Sequence, residues 1–150
     1  MHLFLVHHAD AVGSEVDPQR PLSTRGLAQA ASVADRARSS GVVPAAIWHS
    51  GKLRARQTAE LWLRLSPFAE FKMARGLRPD DPPEIIRDAL RGETRDVAVI
   101  GHWPHLPALL RLLIRSEVAE FPQHGAVLLE SSDAAPWTEI WRIASKELGP

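Results

Sequence analysis

Three short apolar runs of this chain are each followed by a basic side chain. The runs cover residues 3–6, 44–48 and 97–100, and the side chains that follow them are His8, Arg54 and His102. A continuous apolar run is typical of a strand that is covered on both faces. In an open α/β sheet, the carboxyl ends of the strands converge on the ligand site. The sequence therefore predicts a catalytic pocket for an anion at one edge of a sheet.

The chain has the size and composition of an ordinary globular domain. Its 150 residues are 45% hydrophobic and carry 18 basic and 18 acidic side chains, so the formal net charge is zero. A chain of this length buries roughly two-thirds of its unfolded surface, and we expect one domain over residues 1–150. Binding to nucleic acid and to acidic membranes depends on summed positive charge, so neither is expected as the main partner.

The compartment is inferred from what the sequence lacks. There is no cysteine, which excludes disulfides and thiolate zinc sites. The amino terminus does not have the pattern of a signal peptide, and no apolar run approaches the roughly 18 residues of a membrane span. A cytoplasmic protein is the default expectation.

Segments typical of strands alternate with segments typical of helices. Strands are predicted at residues 3–6, 44–48, 69–73, 96–100, 126–130 and 137–143. Helices are predicted at residues 24–39, 55–65, 82–91 and 104–113. The last two strands are expected to be antiparallel. This order predicts a three-layer α/β/α sandwich around a mostly parallel sheet.

Two of the helix starts are predicted from capping residues. Ser23 or Thr24 can cap the first helix, in whose first turn Gly26 is a mild cost. Asp81 begins a segment with proline at the first helical position and Glu84 three residues after the cap, which predicts that Asp81 caps the third helix.

The predicted pocket contains side chains that suit phosphoryl transfer. A neutral imidazole is nucleophilic near neutral pH and accepts a phosphoryl group without prior activation. Arginine offers a charged, planar fork for phosphate oxygens, and a second histidine can donate to the charge that spreads over the transferring group. One histidine, one arginine and a further histidine are therefore sufficient for covalent phosphoryl transfer.

Four segments of the chain combine these residues into longer motifs. They are Leu5-Val6-His7-His8-Ala9, Arg20-Pro21-Leu22-Ser23-Thr24-Arg25-Gly26, Arg54-Ala55-Arg56-Gln57-Thr58 and Ile100-Gly101-His102. In this order they resemble the motifs of the histidine phosphatase superfamily, and most closely those of its small SixA-like phosphohistidine phosphatases. The similarity spans most of the chain.

The resemblance implies a phosphoglycerate mutase-like fold and a metal-independent phosphatase without a cofactor. It makes His8 the phosphorylated nucleophile, Arg54 a phosphate ligand, and His102 a second ligand and transition-state donor. The connections at residues 9–22 and 67–83 are too short for a large lid insertion, so an open pocket is expected. Such a pocket suits phosphohistidine on a protein better than a small phosphate ester that needs enclosure.

His7 is the residue at which the chain departs from the family's pattern. The family has arginine there, whereas a histidine cannot fork around phosphate and is mostly neutral at neutral pH. Losing a charged hydrogen bond to an anion costs about 1.5–3 kcal/mol, or roughly one to two decades in binding or rate. If His7 faces the phosphate, its protonation is expected to raise activity on the acid side of neutral.

The sequence does not decide which carboxylate near the third strand acts as the general acid. Asp80 and Asp81 are the nearest candidates, although Asp81 is also the predicted helix cap. Asp10 can take the acid role or orient a loop, and the structural role is favoured. His124, like other isolated histidines of the chain, is expected to be a satisfied polar residue outside the site.

The sequence also allows two functions other than that of an enzyme. The first is a degenerate binding module that holds a phosphate or a phosphoprotein with little turnover, which the histidine at position 7 favours. The second is a histidine-ligated metal protein, since His7, His8 and His102 could form an opportunistic zinc site.

Overall fold

The computed structural model describes residues 1–117, 120–132 and 136–145 of the chain. Strands and helices alternate through most of this part, as the sequence predicts. Their bounds are β1 His2–His7, α1 Thr24–Ala37, β2 Ala46–His49, α2 Leu53–Trp62, β3 Glu70–Met73, α3 Glu84–Arg91, β4 Val97–Gly101, α4 His105–Ile114, β5 Ala126–Glu130 and β6 Thr138–Ile143. A 3-10 turn, Arg38–Ser40, follows α1.

The six strands form one sheet in the order β3-β2-β4-β1-β5-β6. The pairs β3-β2, β2-β4 and β4-β1 are parallel, whereas β5 is antiparallel to both β1 and β6. The predicted mostly parallel sheet with antiparallel closing strands is confirmed. Because β5 runs the other way, its first residues lie at the same edge as the carboxyl ends of β1 and β4.

Successive residues of the central strand β1 face opposite layers. Leu3 and Leu5 belong to the hydrophobic cluster that contains α3 and α4, while Phe4 and Val6 belong to the cluster that contains α1 and α2. All four side chains are almost fully buried. The sheet is therefore covered on both faces, which confirms the predicted α/β/α sandwich and explains why β1 is continuously apolar.

The start of α1 is fixed against the loop that follows β1. Ser23 is the N-cap and its Oγ accepts from the backbone N–H of Gly26 at 3.0 Å, as the sequence predicts. A Cβ at Gly26 would lie 1.9 Å from the carbonyl oxygen of Asp10. Gly26 is thus required for the close approach of α1 to this loop. The sequence predicted only a small loss of helix stability at this position.

The predicted cap of α3 is wrong. The helix begins at Glu84 with Pro83 at the N-cap, and the side chain of Asp81 accepts instead from the backbone N–H of Arg78 at 2.9 Å. A residue at position 83 that lacks an N–H cannot donate to a cap, so the Asp81 carboxylate closes the preceding turn. No helix among the described residues is both long and apolar enough to cross a membrane.

Candidate active site

A cavity of about 350 Å³ lies at the carboxyl edge of β1 and β4. Its basic lining residues are His7, His8, Arg20, Arg54, His102 and His124. All the basic side chains that the sequence predicts for the pocket therefore lie together. A larger cavity of about 990 Å³ lies at the opposite edge of the sheet beside Met1, and its described lining contains no histidine.

His8 is held with one ring nitrogen free. Its Nδ1 lies 2.8 Å from the carbonyl oxygen of Ala9, which can only accept, so Nδ1 carries the proton. The lone pair is then on Nε2. Burial, assisted by the charge of Arg54, lowers the pKa of His8 to about 4, against an opposing effect of the Ala9 carbonyl. His8 is therefore a neutral, nucleophilic imidazole at neutral pH.

The segment after His8 is held by the motif at the start of α2. The hydroxyl of Thr58 accepts from the backbone N–H of Ala9 at 3.1 Å and donates to the carbonyl of Arg54 at 2.8 Å. The side-chain oxygen of Gln57 accepts from the backbone N–H of Leu22 at 2.7 Å. These hydrogen bonds explain how Arg54, Gln57 and Thr58 work as one motif: one residue lines the cavity and the other two position its walls.

Two guanidinium groups line the cavity. The Nε of Arg54 is buried and has no hydrogen-bond partner within the described part of the chain, and burial followed by the charge of Arg20 lowers the pKa of Arg54. Arg20 donates from Nε to the carbonyl of Val12 at 3.0 Å. Arg20 was not predicted to lie in the pocket, and its place at the start of the Arg20–Gly26 motif was the signal that could have identified it.

His102 is almost fully buried, with 1% of its surface exposed. Burial, followed by the charges of His8 and Arg54, lowers its pKa to about 3. The Nε2 atom is paired with a serine hydroxyl, while Nδ1 has no hydrogen-bond partner among the residues described. His102 thus lines the cavity with one ring nitrogen that is unpaired among the described residues.

His7 lies in the cavity wall because β1 ends there. Its Nδ1 accepts from the backbone N–H of His124 at 2.8 Å. The ring is stacked between Trp103 and His124, with centroids 4.9 and 5.0 Å away and planes within 4° and 3° of parallel. Since Nδ1 accepts, the proton of the neutral ring is on Nε2.

The expectation that His7 becomes protonated just below neutral pH is wrong. Burial, followed by the nearby His8 and His124, lowers the pKa of His7 to about 2. A proton on Nδ1 would also face the backbone N–H of His124 and so remove the hydrogen bond that this nitrogen accepts. His7 is a neutral donor over the whole range in which the protein would act.

His124 belongs to the cavity, which corrects the expectation that it is a satisfied polar residue elsewhere. Its Nδ1 lies 2.8 Å from the carbonyl oxygen of His8 and therefore donates to it. The residue directly precedes Gly125 and β5, and only the antiparallel direction of β5 brings it to this edge. The predicted antiparallel pairing was the signal that could have located it.

The three acidic candidates differ in position. Asp80 and Asp81 do not line the cavity, and Asp81 is engaged with Arg78. Asp10 does line it, but its Oδ2 accepts from the hydroxyl of Ser23 at 2.6 Å and its N–H donates to Gln29 at 3.0 Å. Asp10 orients the loop against α1, in line with the structural role favoured from the sequence.

Three histidines are close enough to be considered as metal ligands. One ring nitrogen from each of His7, His8 and His124 lies within 4.8 Å of the others, so the third member of the cluster is His124 and not the predicted His102. Only His8 and His124 present a lone pair, because the free nitrogen of His7 carries its proton. With these tautomers the cluster offers two lone pairs, fewer than the three protein ligands of a catalytic zinc site.

Solved structures with the same fold cover almost the whole chain. The protein histidine phosphatase SixA complexed with tungstate is 22% identical, with a TM-score of 0.84 over 99% of this chain and 100% of its own. A protein from Agrobacterium tumefaciens assigned as the phosphohistidine phosphatase SixA is 26% identical, with a TM-score of 0.81 over 95% of this chain and 97% of its own.

A mycobacterial glucosyl-3-phosphoglycerate phosphatase is 14% identical and has a TM-score of 0.75 over 95% of this chain and 99% of its own. No curated protein matches the chain significantly. The family model of the histidine phosphatase superfamily (branch 1) matches residues 4–78, half of the chain, and includes His8, Arg20 and Arg54. The chain belongs to the histidine phosphatase superfamily.

Proposed function

We propose that this protein is a metal-independent phosphatase that forms a phospho-His8 intermediate and acts on phosphohistidine of a phosphorylated protein. The observation that carries the proposal is the free Nε2 lone pair of His8 in a cavity with two guanidinium groups. The nucleophile and the two cations line the same cavity, so a phosphoryl group can be attacked and neutralised at once. Residues 1–150 act as one domain in this proposal.

The reaction consists of two displacements at phosphorus. In the first, the Nε2 of His8 forms a bond to phosphorus while the bond to the leaving group breaks. Arg54, Arg20 and the unpartnered Nδ1 of His102 donate to the phosphoryl oxygens, whose charge is largest in the transition state. In the second, water attacks phospho-His8 and releases inorganic phosphate with the original imidazole.

Phosphohistidine is favoured as the substrate because the described lining of the cavity offers no free carboxyl group to protonate a leaving group. An imidazole leaving group needs less assistance from an acid than an alkoxide does. The one carboxylate in the described lining, Asp10, is already hydrogen-bonded to Ser23. Similarity to SixA structures supports the same substrate class. Small phosphate esters are a second class, and we do not propose nucleic acid or a membrane as a partner.

The proposal is tested by incubating the protein with a phosphohistidine protein and with para-nitrophenyl phosphate. Wild type should release phosphate from the first substrate, and His8→Asn should reduce the rate by about a thousandfold or more because the nucleophile is lost. His2→Asn is the matched control, since His2 lies at the other end of β1 beside Asp96 and Glu130. Turnover that survives in His8→Asn would refute the intermediate.

Metal independence is tested in the same assay. Phosphate release should be unchanged by EDTA, because the nucleophile is an imidazole and no step uses an activated metal-bound water. Loss of turnover in EDTA with rescue by a divalent ion would overturn this part of the proposal.

A binding module is the second candidate, and the histidine at position 7 favours it. His7 supplies one neutral hydrogen bond where the family's arginine supplies two charged ones. A wild-type protein that binds tungstate in this cavity but hydrolyses neither substrate would establish the binding role instead.

A further inference from the structure

We propose that a second basic cavity, which meets the active-site cavity at Arg54, is a docking site for acidic side chains beside the phosphohistidine of a protein substrate. The inference rests on the proposed function and deepens it, because it names the chemistry of the partner at the same site. It is carried by the residues that line the second cavity, by their charges and by their connection to His102.

The second cavity has a volume of about 320 Å³, close to the 350 Å³ of the active-site cavity. Arg54 lines both cavities, and Gln19 lines the second while its neighbour Arg20 lines the first. The other residues that line the second cavity are Pro18, Gly51, Lys52, Leu53 and Arg56. A substrate whose phosphoryl group lies in the first cavity can therefore place its neighbouring residues in the second.

The second cavity is connected by hydrogen bonds to a residue of the active site. The backbone N–H of Lys52 donates to the hydroxyl of Ser50 at 3.3 Å, and this hydroxyl lies 2.6 Å from Nε2 of His102. Lys52 is also the N-cap residue of α2, two positions before Arg54. The second cavity is thus built on the same turn that places Arg54 in the active site.

The described lining of the second cavity contains three cations and no carboxylate. The side chain of Lys52 neither caps α2 nor forms an ion pair within the described part of the chain. Arg56 lies 3.6 Å from Glu60, but both side chains are about half exposed, so this pair is weak. The nearby Asp17 accepts from the backbone N–H of Gln19 at 2.9 Å. The positive charge of the cavity is therefore largely free to attract an anion.

These cations do not serve the stability of α2. The helix dipole favours acidic side chains in the first turn and disfavours basic ones. The first turn of α2 has no acidic residue, and the segment begins with Lys52, Leu53 and Arg54. Positive charge at this position opposes the local fold, and an acidic partner would offset that cost.

The second cavity is open enough for the surface of a protein. Pro18, Gln19, Gly51 and Arg56 are all exposed. Sites for small molecules usually bury most of the ligand, which this lining does not do. Exposed charges at an interface mainly speed association and select the partner. An acidic segment of the phosphorylated protein therefore fits the cavity better than a second phosphate of a small ester.

The experiment compares two synthetic phosphohistidine peptides of equal length. One carries two glutamates on each side of the phosphohistidine, and the other carries glutamines at the same positions. At about 50 mM NaCl, wild type should release phosphate from the glutamate peptide with a kcat/KM about tenfold higher, because opposite charges speed association. At about 500 mM NaCl the preference should fall to about twofold or less, because salt screens exposed charges.

The variant Lys52→Gln/Arg56→Gln removes two charges from the second cavity and leaves Arg54 in place. It should cleave the two peptides at similar rates. Its ratio of kcat/KM for the glutamate peptide to that for para-nitrophenyl phosphate should fall by about tenfold, because the small ester has no acidic neighbour to dock. Lys52→Glu/Arg56→Glu should prefer the glutamine peptide, a reversal that a loss of folding cannot produce.

The matched control is Arg87→Gln/Arg91→Gln. It removes the same net charge from the larger cavity at the opposite edge of the sheet, and it should keep the wild-type preference for the glutamate peptide. A preference that persists in Lys52→Gln/Arg56→Gln, or that is lost equally in the control, would overturn the docking site. An equal loss of activity toward para-nitrophenyl phosphate and the glutamate peptide would assign the two cations to the phosphoryl group and would overturn it as well.

The two proposals fail in different ways. Release of phosphate from both peptides by wild type with equal kcat/KM would leave the phosphatase in place and overturn the docking site alone. Release of phosphate from neither peptide nor para-nitrophenyl phosphate would overturn the proposed function, and the docking site with it.

Discussion

The hydroxyl of Ser50 lies 2.6 Å from Nε2 of His102, and the backbone N–H of Lys52 donates to the same hydroxyl at 3.3 Å. Because the oxygen accepts from Lys52, its proton is available for Nε2 of His102. When Ser50 donates to Nε2, the ring proton is on Nδ1, which is buried without a partner among the described residues. Ser50 therefore fixes the orientation of the His102 ring, which lines the cavity, and is a positioning residue.

Ser50→Ala should lower kcat/KM for para-nitrophenyl phosphate by about tenfold, because His102 is then free to adopt the tautomer with a lone pair on Nδ1. Ser50→Thr retains the hydroxyl and should restore much of the loss. Ser66→Ala is the matched control, since Ser66 is also buried but its hydroxyl donates to the carbonyl of Pro44, away from the cavity. Equal losses in Ser50→Ala and Ser66→Ala would indicate a general structural effect.

Stability should fall on the acid side of neutral. His7, His8 and His102 have folded-state pKa values of about 2, 4 and 3, below the usual value of about 6.5, chiefly because they are buried. The unfolded chain binds protons on these rings as the pH falls through about 6.5, whereas the folded chain does not. Their contribution is therefore fully present above that pH and is lost as the pH falls from about 6.5 toward the folded-state pKa values of about 4, 3 and 2.

Urea unfolding at about pH 7.5 and 5.5 measures this loss. Three rings at about 1.4 kcal/mol each give an upper limit of about 4 kcal/mol, with a smaller share from the partly exposed His8. In His102→Asn the difference between the two pH values should shrink by about a third. A free energy of unfolding that is the same at both pH values would contradict the burial of these histidines.

Gly26→Ala should destabilise the protein even though alanine favours helices. Helix propensity alone would stabilise by about 0.5–1 kcal/mol. The added Cβ would meet the carbonyl oxygen of Asp10 at 1.9 Å, and moving that loop should cost about 1–3 kcal/mol. A measurement of the free energy of unfolding shows which of these two opposing effects is larger. Ala28→Gly, at an exposed position of α1, is the control and should lose only the propensity difference.

The sequence predicted those features of the site that depend on local pattern. The position of His8 after a buried strand, the motif around Arg54 and the segment before His102 all follow from apolar runs with polar residues at their ends. His124 could not be found in this way, because its neighbour in space is His8, more than a hundred residues away in the chain. That contact depends on the pairing of β5 with β1.

Other features that the sequence did not predict also depend on contacts between segments that are distant in the chain. Gly26 fits the pattern of a weak helix position, and only the approach of Asp10 shows why it is needed. The tautomer of His7 is set by a backbone N–H from the segment before β5. Hydrogen bonds between segments that are distant in the chain thus determine proton positions that residue spacing does not reveal.

His7→Arg should raise kcat/KM for para-nitrophenyl phosphate by about tenfold or more. A planar guanidinium can take the place of the imidazole between Trp103 and His124, since it stacks on aromatic rings, and it adds a fixed charge and a second donor. The 1.5–3 kcal/mol of a charged hydrogen bond corresponds to about one to two decades in rate. The gain attributable to position 7 should be similar at all pH values between about 6 and 8, because neither the guanidinium nor the neutral His7 titrates there.

His7→Gln is the control for this prediction, because it keeps a neutral donor and should show no gain in kcat/KM. If His7→Arg folds as wild type does and is no faster, rate is not limited by phosphate charge at this position, and the binding-module candidate becomes the better account of the cavity.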